Sequence, residues 1–327
     1  MQESQDGSNR ISRLSSSQAQ EYLRQIKGQP YADYRHAWDY YGKNQICPGK
    51  PLQLNVELTA ACNLRCCMCY RNYDMEVRNG TLALSDVELL AKQFAELGIP
   101  SLWLSGGEPL MHPEIDQILK IFGQTKPLDF WMVTNGLILT KSLSSTIVES
   151  GLTWLSVSVD AAKAETYKKI RGGDYQRLLE NINTFLRVRT EKGSCLPFLR
   201  VSFIKMKQNA GEESEFVSQW KDKADIIDFQ TLADYHDLEQ FTEEDVKNSD
   251  YICTAPFSLV SVIPNGDIIP CCNGFYGEKS LYNIHNTKIA DYWASDFHTV
   301  FALSIKRREY CDECIKCVKS FLPRNNR

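Results

Sequence analysis

From residue 51 to about 232, short apolar runs alternate with segments of helical periodicity. Leu52, Leu54, Val56 and Leu58 alternate with polar neighbours at the period of a strand. Residues 101–105, 128–134, 153–159, 198–206 and 225–230 give further strand-like runs. Helical spacing fills the intervals, over 84–97, 113–124, 141–150, 163–193 and 212–221. Ser85 with Glu88 three residues on reads as the capping pair of the first of these helices. A strand followed by a helix, repeated in this way, predicts a parallel sheet with helices packed outside it. The expected fold is α/β: a partial (β/α)6 barrel, with its chemistry at the carboxyl ends of the strands.

The flanks have a different texture. Residues 1–15 are polar, and 17–43 hold helical stretches rich in aromatics (Tyr22, Tyr31, Tyr34, Trp38, Tyr40, Tyr41) that predict a cap on the following domain. Residues 233–250 are acidic, with Asp234, Asp237, Glu239, Glu243, Glu244, Asp245 and Asp250 opposed only by Lys247, which reads as a solvated linker. Apolar runs at 257–263 and 267–270 then flank Pro264-Asn265-Gly266, a hairpin signal, and helical spacing follows over 287–307. The expected organisation is a polar and helical extension (1–50), the barrel (51–232), an acidic linker (233–252) and a small C-terminal β-hairpin/helix module (253–327).

Composition narrows the function classes. The chain has 327 residues and a net charge of −4, so no overall field favours nucleic acid or an anionic membrane. No run approaches the length of a membrane span, and residues 1–20 are Gln/Ser-rich without the apolar core of a secretory signal. The expected location is therefore the cytoplasm. There, twelve cysteines do not read as a disulfide framework, and metal or catalysis is the better default. They are clustered: four lie between 62 and 69, and six follow residue 250. Cys47 and Cys195 stand apart and are expected to be packing residues.

Cys62-Asn-Leu-Arg-Cys66-Cys67-Met68-Cys69 follows directly on the first strand. Cys62, Cys66 and Cys69 can hold three corners of a cubane iron–sulfur cluster. No fourth ligand follows at a matching spacing, so one iron is left open for an exogenous ligand, as catalytic metal sites require. No Gly-x-Gly-x-x-Gly follows a strand and no Walker-type loop is present, which leaves nicotinamide or nucleoside triphosphate chemistry unsupported.

This loop resembles the signature of the radical S-adenosylmethionine (SAM) superfamily. The resemblance implies that SAM chelates the open iron. It also implies that one electron cleaves SAM to a 5′-deoxyadenosyl radical, which abstracts hydrogen from an unactivated C–H bond. Further motifs follow in family order. Gly106-Gly107-Glu108-Pro109 resembles the motif that holds the SAM amino group: glycines let the backbone approach and a carboxylate meets an ammonium. Ser158-Val159-Asp160 places a hydroxyl and a carboxylate for ribose and other polar groups of SAM, with a helix N-cap as the other reading of Asp160. Arg171, before Gly172-Gly173, corresponds to the partner of the SAM carboxylate, with a surface arginine as the other reading. Thr134-Asn135-Gly136 resembles the family's Asn-Gly turn, giving Asn135 either a SAM contact or a turn role. Met68 stands where relatives often place an aromatic beside adenine. Leu232 is either a backbone contact to adenine or a core leucine.

The C-terminal part, with Cys253-Thr-Ala-Pro256, the Pro-Asn-Gly-Asp turn, Cys271-Cys272, Tyr282-Asn283-Ile284 and Trp293, resembles the SPASM extension. Its six cysteines are too few for two auxiliary clusters, which implies the shortened, twitch-like form with one. The implied 4Fe–4S ligands are Cys253, Cys271, Cys311 and Cys314. Cys317 is an alternative to Cys311 or Cys314, and Cys272 to Cys271. A four-thiolate structural zinc is the other reading of this set. Relatives with one auxiliary cluster include an aminocyclitol dehydrogenase and epimerases of sugars or peptide residues. The expected activity is thus an oxidoreductase or epimerase acting on a sugar- or aminocyclitol-like small molecule, with flavodoxin or ferredoxin as electron donor. The alternatives are a maturase of ribosomally made peptides and a non-enzymatic, zinc-stabilised binding module. The catalytic base or hydrogen donor is unassigned; Cys67, Cys272 and Cys317 are candidate thiols.

Overall fold

A computed structural model describes residues 9–12, 16–69, 80–272 and 280–323. Six parallel strands form the centre of one sheet: β2 (Gln53–Glu57), β3 (Ser101–Ser105), β4 (Asp129–Thr134), β5 (Trp154–Ser158), β6 (Phe198–Lys205) and β7 (Ile226–Thr231). β1 (Asn9–Ser12) adds antiparallel beside β7. At the other edge β8 (Leu259–Val262) pairs parallel with β2, and β9 (Ile268–Ile269) closes the hairpin. The hairpin thus continues the barrel sheet.

Each central strand buries both faces. One face carries Leu54, Val56, Leu102, Leu104, Phe130 and Met132, all fully buried against helices α3 (Leu84–Leu97) and α4 (Ile115–Gln124) and their neighbours. The opposite face, at the alternate positions, carries Trp103, Trp131 and Trp154, in register and stacked at 5.5 and 4.7 Å. One step further along the strands Arg200 pairs with Asp228 and donates to Ser156 Oγ at 3.3 Å. The N-terminal helices α1 (Ser16–Lys27) and α2 (Gln29–Asn44) close the amino-terminal end. Leu23, Tyr31 and Tyr34 pack there on Leu52, Trp154, Phe198 and Ile226, at the starts of strands. The expected cap is therefore present, and the carboxyl ends remain for the site.

Several local expectations shift. The helical run 163–193 is two helices, α6 (Ala164–Arg171) and α7 (Tyr175–Glu191). Gly172 at φ 78° ends the first, and the Asp174 carboxylate caps the second by accepting from Arg177 N–H at 3.1 Å. Likewise 287–307 divides into α10 (Ile289–Trp293) and α11 (Asp296–Lys306), with the Ser295 hydroxyl capping α11. Ser85 lies inside α3; it is Asp86 that accepts from Ala83 N–H at 3.2 Å, two residues earlier than the expected Ser85/Glu88 pair. Cys47 and Cys195 are exposed, so neither is the packing residue expected.

The acidic segment is more than a solvated linker. Its carboxylates are largely exposed, but α9 (Glu243–Lys247) buries Val246, and Asp234 N–H donates to Ser320 O of α12 (Asp312–Phe321) at 2.9 Å. One apolar anchor and one backbone hydrogen bond, invisible under the charge run, fold it back onto the C-terminal helix.

Candidate active site

The three-cysteine loop leaves β2 and is fastened by the ends of later strands. Gly107 N–H donates to Thr59 O at 2.7 Å and Glu108 N–H to Ala61 O at 2.8 Å. Asn135 Nδ2, at the end of β4, donates to Asn63 Oδ1 at 2.7 Å. Cys67 N–H donates to Ile170 O at 2.8 Å, tying the loop to the end of α6. Leu64 is the loop's buried side chain. The result places Cys62, Cys66, Met68 and Cys69 on the wall of one cavity of about 520 Å³.

Glu108 sits at the base of this wall, 1% exposed. Its Oε1 accepts from Leu110 N–H at 3.1 Å and Thr134 Oγ1 at 2.6 Å, and its Oε2 from Asn135 N–H at 2.6 Å. A carboxylate has about four acceptor sites, so one remains on Oε2. Burial pushes the Glu108 carboxyl up to about 7, against the pull of these donors and of Arg171. Gly106 has to be glycine: φ is 127°, and a Cβ would stand 2.7 Å from Thr59 O.

Arg171 is nearly buried and fully committed in direction. Its Nε donates to Asp160 Oδ2 at 2.8 Å, its Nη2 pairs with the same oxygen, and its Nη1 lies 3.7 Å from Cys66 Sγ. Asp160 is fully buried, at φ 61°, and its Oδ1 accepts from Ile204 N–H at 2.8 Å. Asn209 Nδ2 donates to Asp160 O at 2.8 Å and holds that left-handed turn. Asp160 is not the helix N-cap considered from sequence, since α6 starts after Lys163; its carboxylate accepts from Arg171 and from Ile204 N–H, and it lies outside the cavity lining. It positions Arg171. Ser158, Gly106, Gly107, Asn135 and Leu232 do line the cavity, with Leu232 half-buried.

The second cysteine set faces the same space. Cys253, Cys271 and Cys314 line the cavity, and so do Cys272 and Cys317; Cys311 stands behind Cys314 at the N-cap of α12. The Cys314 thiol is raised first by its hydrogen bond with Cys311, then by burial, and then by Cys271 and Cys253 nearby. Burial pushes Cys253 and Cys66 up to about 11 each. Thiols so shielded are neutral alone, and bound iron holds them ionised. Among the described residues no three His, Cys, Asp or Glu side chains close on a single ion. Cys62, Cys66 and Cys69 line one wall, and Cys253, Cys271 and Cys314 line the same cavity with Cys311 hydrogen-bonded to Cys314, so each set offers the thiolates that an iron–sulfur cluster takes. The donor chemistry therefore fits iron–sulfur clusters, and the acceptor left on Glu108 fits an ammonium beside the first of them.

Sequence reasoning missed Asn63 and Asn209, whose roles are purely positional, and the cavity's aromatic wall of Tyr235, Tyr251 and Tyr310. Tyr251 stacks on Phe321 at 5.3 Å, joining the end of the acidic segment to α12. Isolated tyrosines carry no motif that marks them in advance.

Comparison with known proteins bears on these features. The profile of the Radical SAM superfamily matches residues 56–199, and that of SPASM, an iron–sulfur cluster-binding domain, matches 253–318. The chain is 26% identical over 213 residues to a probable GTP 3′,8-cyclase of Methanocaldococcus jannaschii, covering 62% of this chain and 69% of that one. It is 38% identical over 134 residues to the AdoMet-dependent heme synthase of Methanosarcina barkeri, covering 40% and 38%. Against the cyclase of Saccharolobus solfataricus the chain spans about half of the relative's length, 53%. Among solved structures, Streptococcus suis SuiB bound to its precursor peptide SuiA aligns at a TM-score of 0.57 and 18% identity, covering 89% of this chain and 74% of that one. BtrN in complex with AdoMet and 2-DOIA aligns at 0.53 and 19%, covering 79% and 87%. At these identities the structures speak for the fold.

Proposed function

This chain belongs to the radical SAM superfamily and carries a SPASM-type iron–sulfur domain, and we propose that it oxidises an alcohol of a small sugar- or aminocyclitol-like metabolite. The observation that carries this reading is the single cavity onto which both cysteine sets open. Cys62, Cys66 and Cys69 would hold the SAM-binding cluster, and Cys253, Cys271, Cys311 and Cys314 one auxiliary cluster. When bound, SAM and the clusters supply the one-electron chemistry: a hydrogen atom is taken from an unactivated C–H bond, and an acceptor is available for a second electron. Loss of a hydrogen atom, then an electron and a proton, balances the conversion of a carbinol to a ketone. The chain's own residues bind and orient. Glu108 would receive the SAM ammonium and Arg171, braced by Asp160, its carboxylate. Ser158 and Asn135 would offer polar contacts, and Met68 a thioether beside adenine. The reducing electron would come from a small carrier such as flavodoxin or ferredoxin.

Two features favour a small, non-anionic substrate. A volume of about 520 Å³ lies in the range of small-molecule sites, and SAM must share it. Among the described lining residues Arg171 is the only cation, and it is held by Asp160, so a triphosphate like that in the cyclases' name would meet no free counter-charge. Epimerisation is the second reading, favoured by Cys272 and Cys317 on the cavity wall, where a thiol could return hydrogen to the opposite face.

The test is anaerobic reconstitution followed by a substrate screen with reduced protein and SAM. Roughly eight irons per chain are expected, with substrate-stimulated 5′-deoxyadenosine and a product lighter by one H2. A product of unchanged formula carrying solvent deuterium establishes epimerisation instead. Turnover of a precursor peptide alone, or colourless protein with zinc, overturns the proposal.

A further inference from the structure

Glu313 is the one charged side chain on the cavity wall that the described residues leave uncommitted. The other charged groups there are Glu108, with three hydrogen-bond donors on it, and Arg171, held by Asp160. The Glu313 carboxylate forms no hydrogen bond or ion pair with any described residue. Its place is set by α12, whose inward face presents Glu313, Cys314, Cys317, Val318 and Phe321 to the cavity at helical spacing. Asp312, one residue earlier, is exposed.

Glu313 stands half-buried in the first turn of α12, where the helix N-terminus favours its negative charge, and a protonated amine in the cavity would give it a charge-assisted partner. The cavity it lines is suited to a cation. Tyr251, Tyr310 and Tyr235 line the same space, and tyrosine faces attract ammonium groups. No competing lysine or arginine lines this part of the cavity among the described residues.

We infer that Glu313 is a specificity residue that receives a protonated amine of the substrate. This rests on the reading above that the shared cavity is the substrate site. It narrows the substrate to an amine-bearing one, whether an aminated polyol or a lysine side chain.

The test is anaerobic calorimetry on the reconstituted holoenzyme with SAM bound, using two probe series. The first comprises an aminocyclitol, the cyclitol with hydroxyl in place of amine, and a cyclitol phosphate. The second is a short lysine peptide and its norleucine counterpart. In one series the aminated member should bind at least about tenfold more tightly, as expected for a charge-assisted bond. Glu313→Gln should erase that preference, and Glu313→Lys should shift it toward the phosphate. Asp312→Asn, in the same helical turn, should preserve it. Equal affinities within both series, absence of binding in both, or a preference that survives Glu313→Gln would each overturn the inference. Should Glu313→Gln fail to load iron, the wild-type preference and its retention in Asp312→Asn decide. A response in the peptide series alone supports Glu313 but refutes the small-molecule reading. Whether a bound probe is oxidised or epimerised is read from its product, independently of these affinities.

Discussion

Glu108 and Arg171 show what single residues do here: each is held by neighbours in the orientation that a ligand would need. The sequence motifs picked out both side chains, but not that Thr134, Asn135 and Asp160 serve them. Those bonds join the ends of different strands and helices, so only the fold brings them together. The buried Glu108 carboxyl, raised to about 7, gives a pH prediction. On the proposal that Glu108 receives the SAM ammonium, it does so ionised, above about 7; as pH falls below that value, SAM affinity should fall with it, measured by calorimetry on loaded protein. Glu108→Gln should bind SAM weakly with a flat profile. Stability runs the other way. The fold favours the protonated form, so the stability Glu108 contributes is full below its ordinary value of 4.5 and is lost as pH rises to about 7. The melting-temperature difference between wild type and Glu108→Gln across that window should show it; a difference that does not change with pH would contradict the burial argument.

At the scale of elements, turns decide where the chemistry sits. The break at Gly172 and Gly173 ends α6 so that Arg171 reaches Cys66, whereas helical periodicity alone ran straight through it. The same periodicity placed α3 and α5 (Lys141–Glu149) closely, because amphipathic spacing is local information. Two glycines make a comparison. Gly106 (φ 127°) faces Thr59 O at 2.7 Å, whereas Gly151 (φ 80°) has nothing within 4 Å of a built Cβ. Both alanine variants pay backbone strain, but Gly106→Ala must also displace the strand that leads to Cys62. It should cost about 1–3 kcal/mol more and lose SAM binding, read by thermal denaturation and calorimetry. In α11, His298 Nε2 lies 3.0 Å from Pro256 O and its ring 4.2 Å from Trp293. Burial holds it below its ordinary value of 6.5. The stability it contributes is thus full above 6.5 and lost as pH falls through its lowered value. Acid should loosen α11 first in hydrogen exchange, and His298→Gln should be less stable at pH 8 but insensitive to that acid step.

On the scale of the whole molecule, the C-terminal module and the barrel share a sheet. β8 pairs with β2 over Leu259–Val262, and Trp293 Nε1 donates to Pro48 O at 2.8 Å. A chain ending at residue 252 should therefore aggregate, because it exposes the apolar edge of β2. A soluble, iron-loaded fragment in size-exclusion chromatography would show the module to be separable. Within the full chain, Cys69→Ala should leave roughly four irons, since the proposal assigns each cluster its own cysteine set though the two share a cavity. No helix among the described residues is long and apolar enough to cross a membrane.

What the sequence determined by itself was whatever is encoded locally: the order of strands and helices, the spacing of three cysteines after the first strand, and the glycines that let the backbone approach. What only the tertiary structure decided depends on contacts between distant segments. It set Asp160 as the brace of Arg171, and folded the acidic segment onto α12. It also brought both cysteine sets and Glu313 onto one cavity. Local periodicity carries no information about which side chains meet across 100 residues or more, and that convergence is where the chemistry of this chain is set.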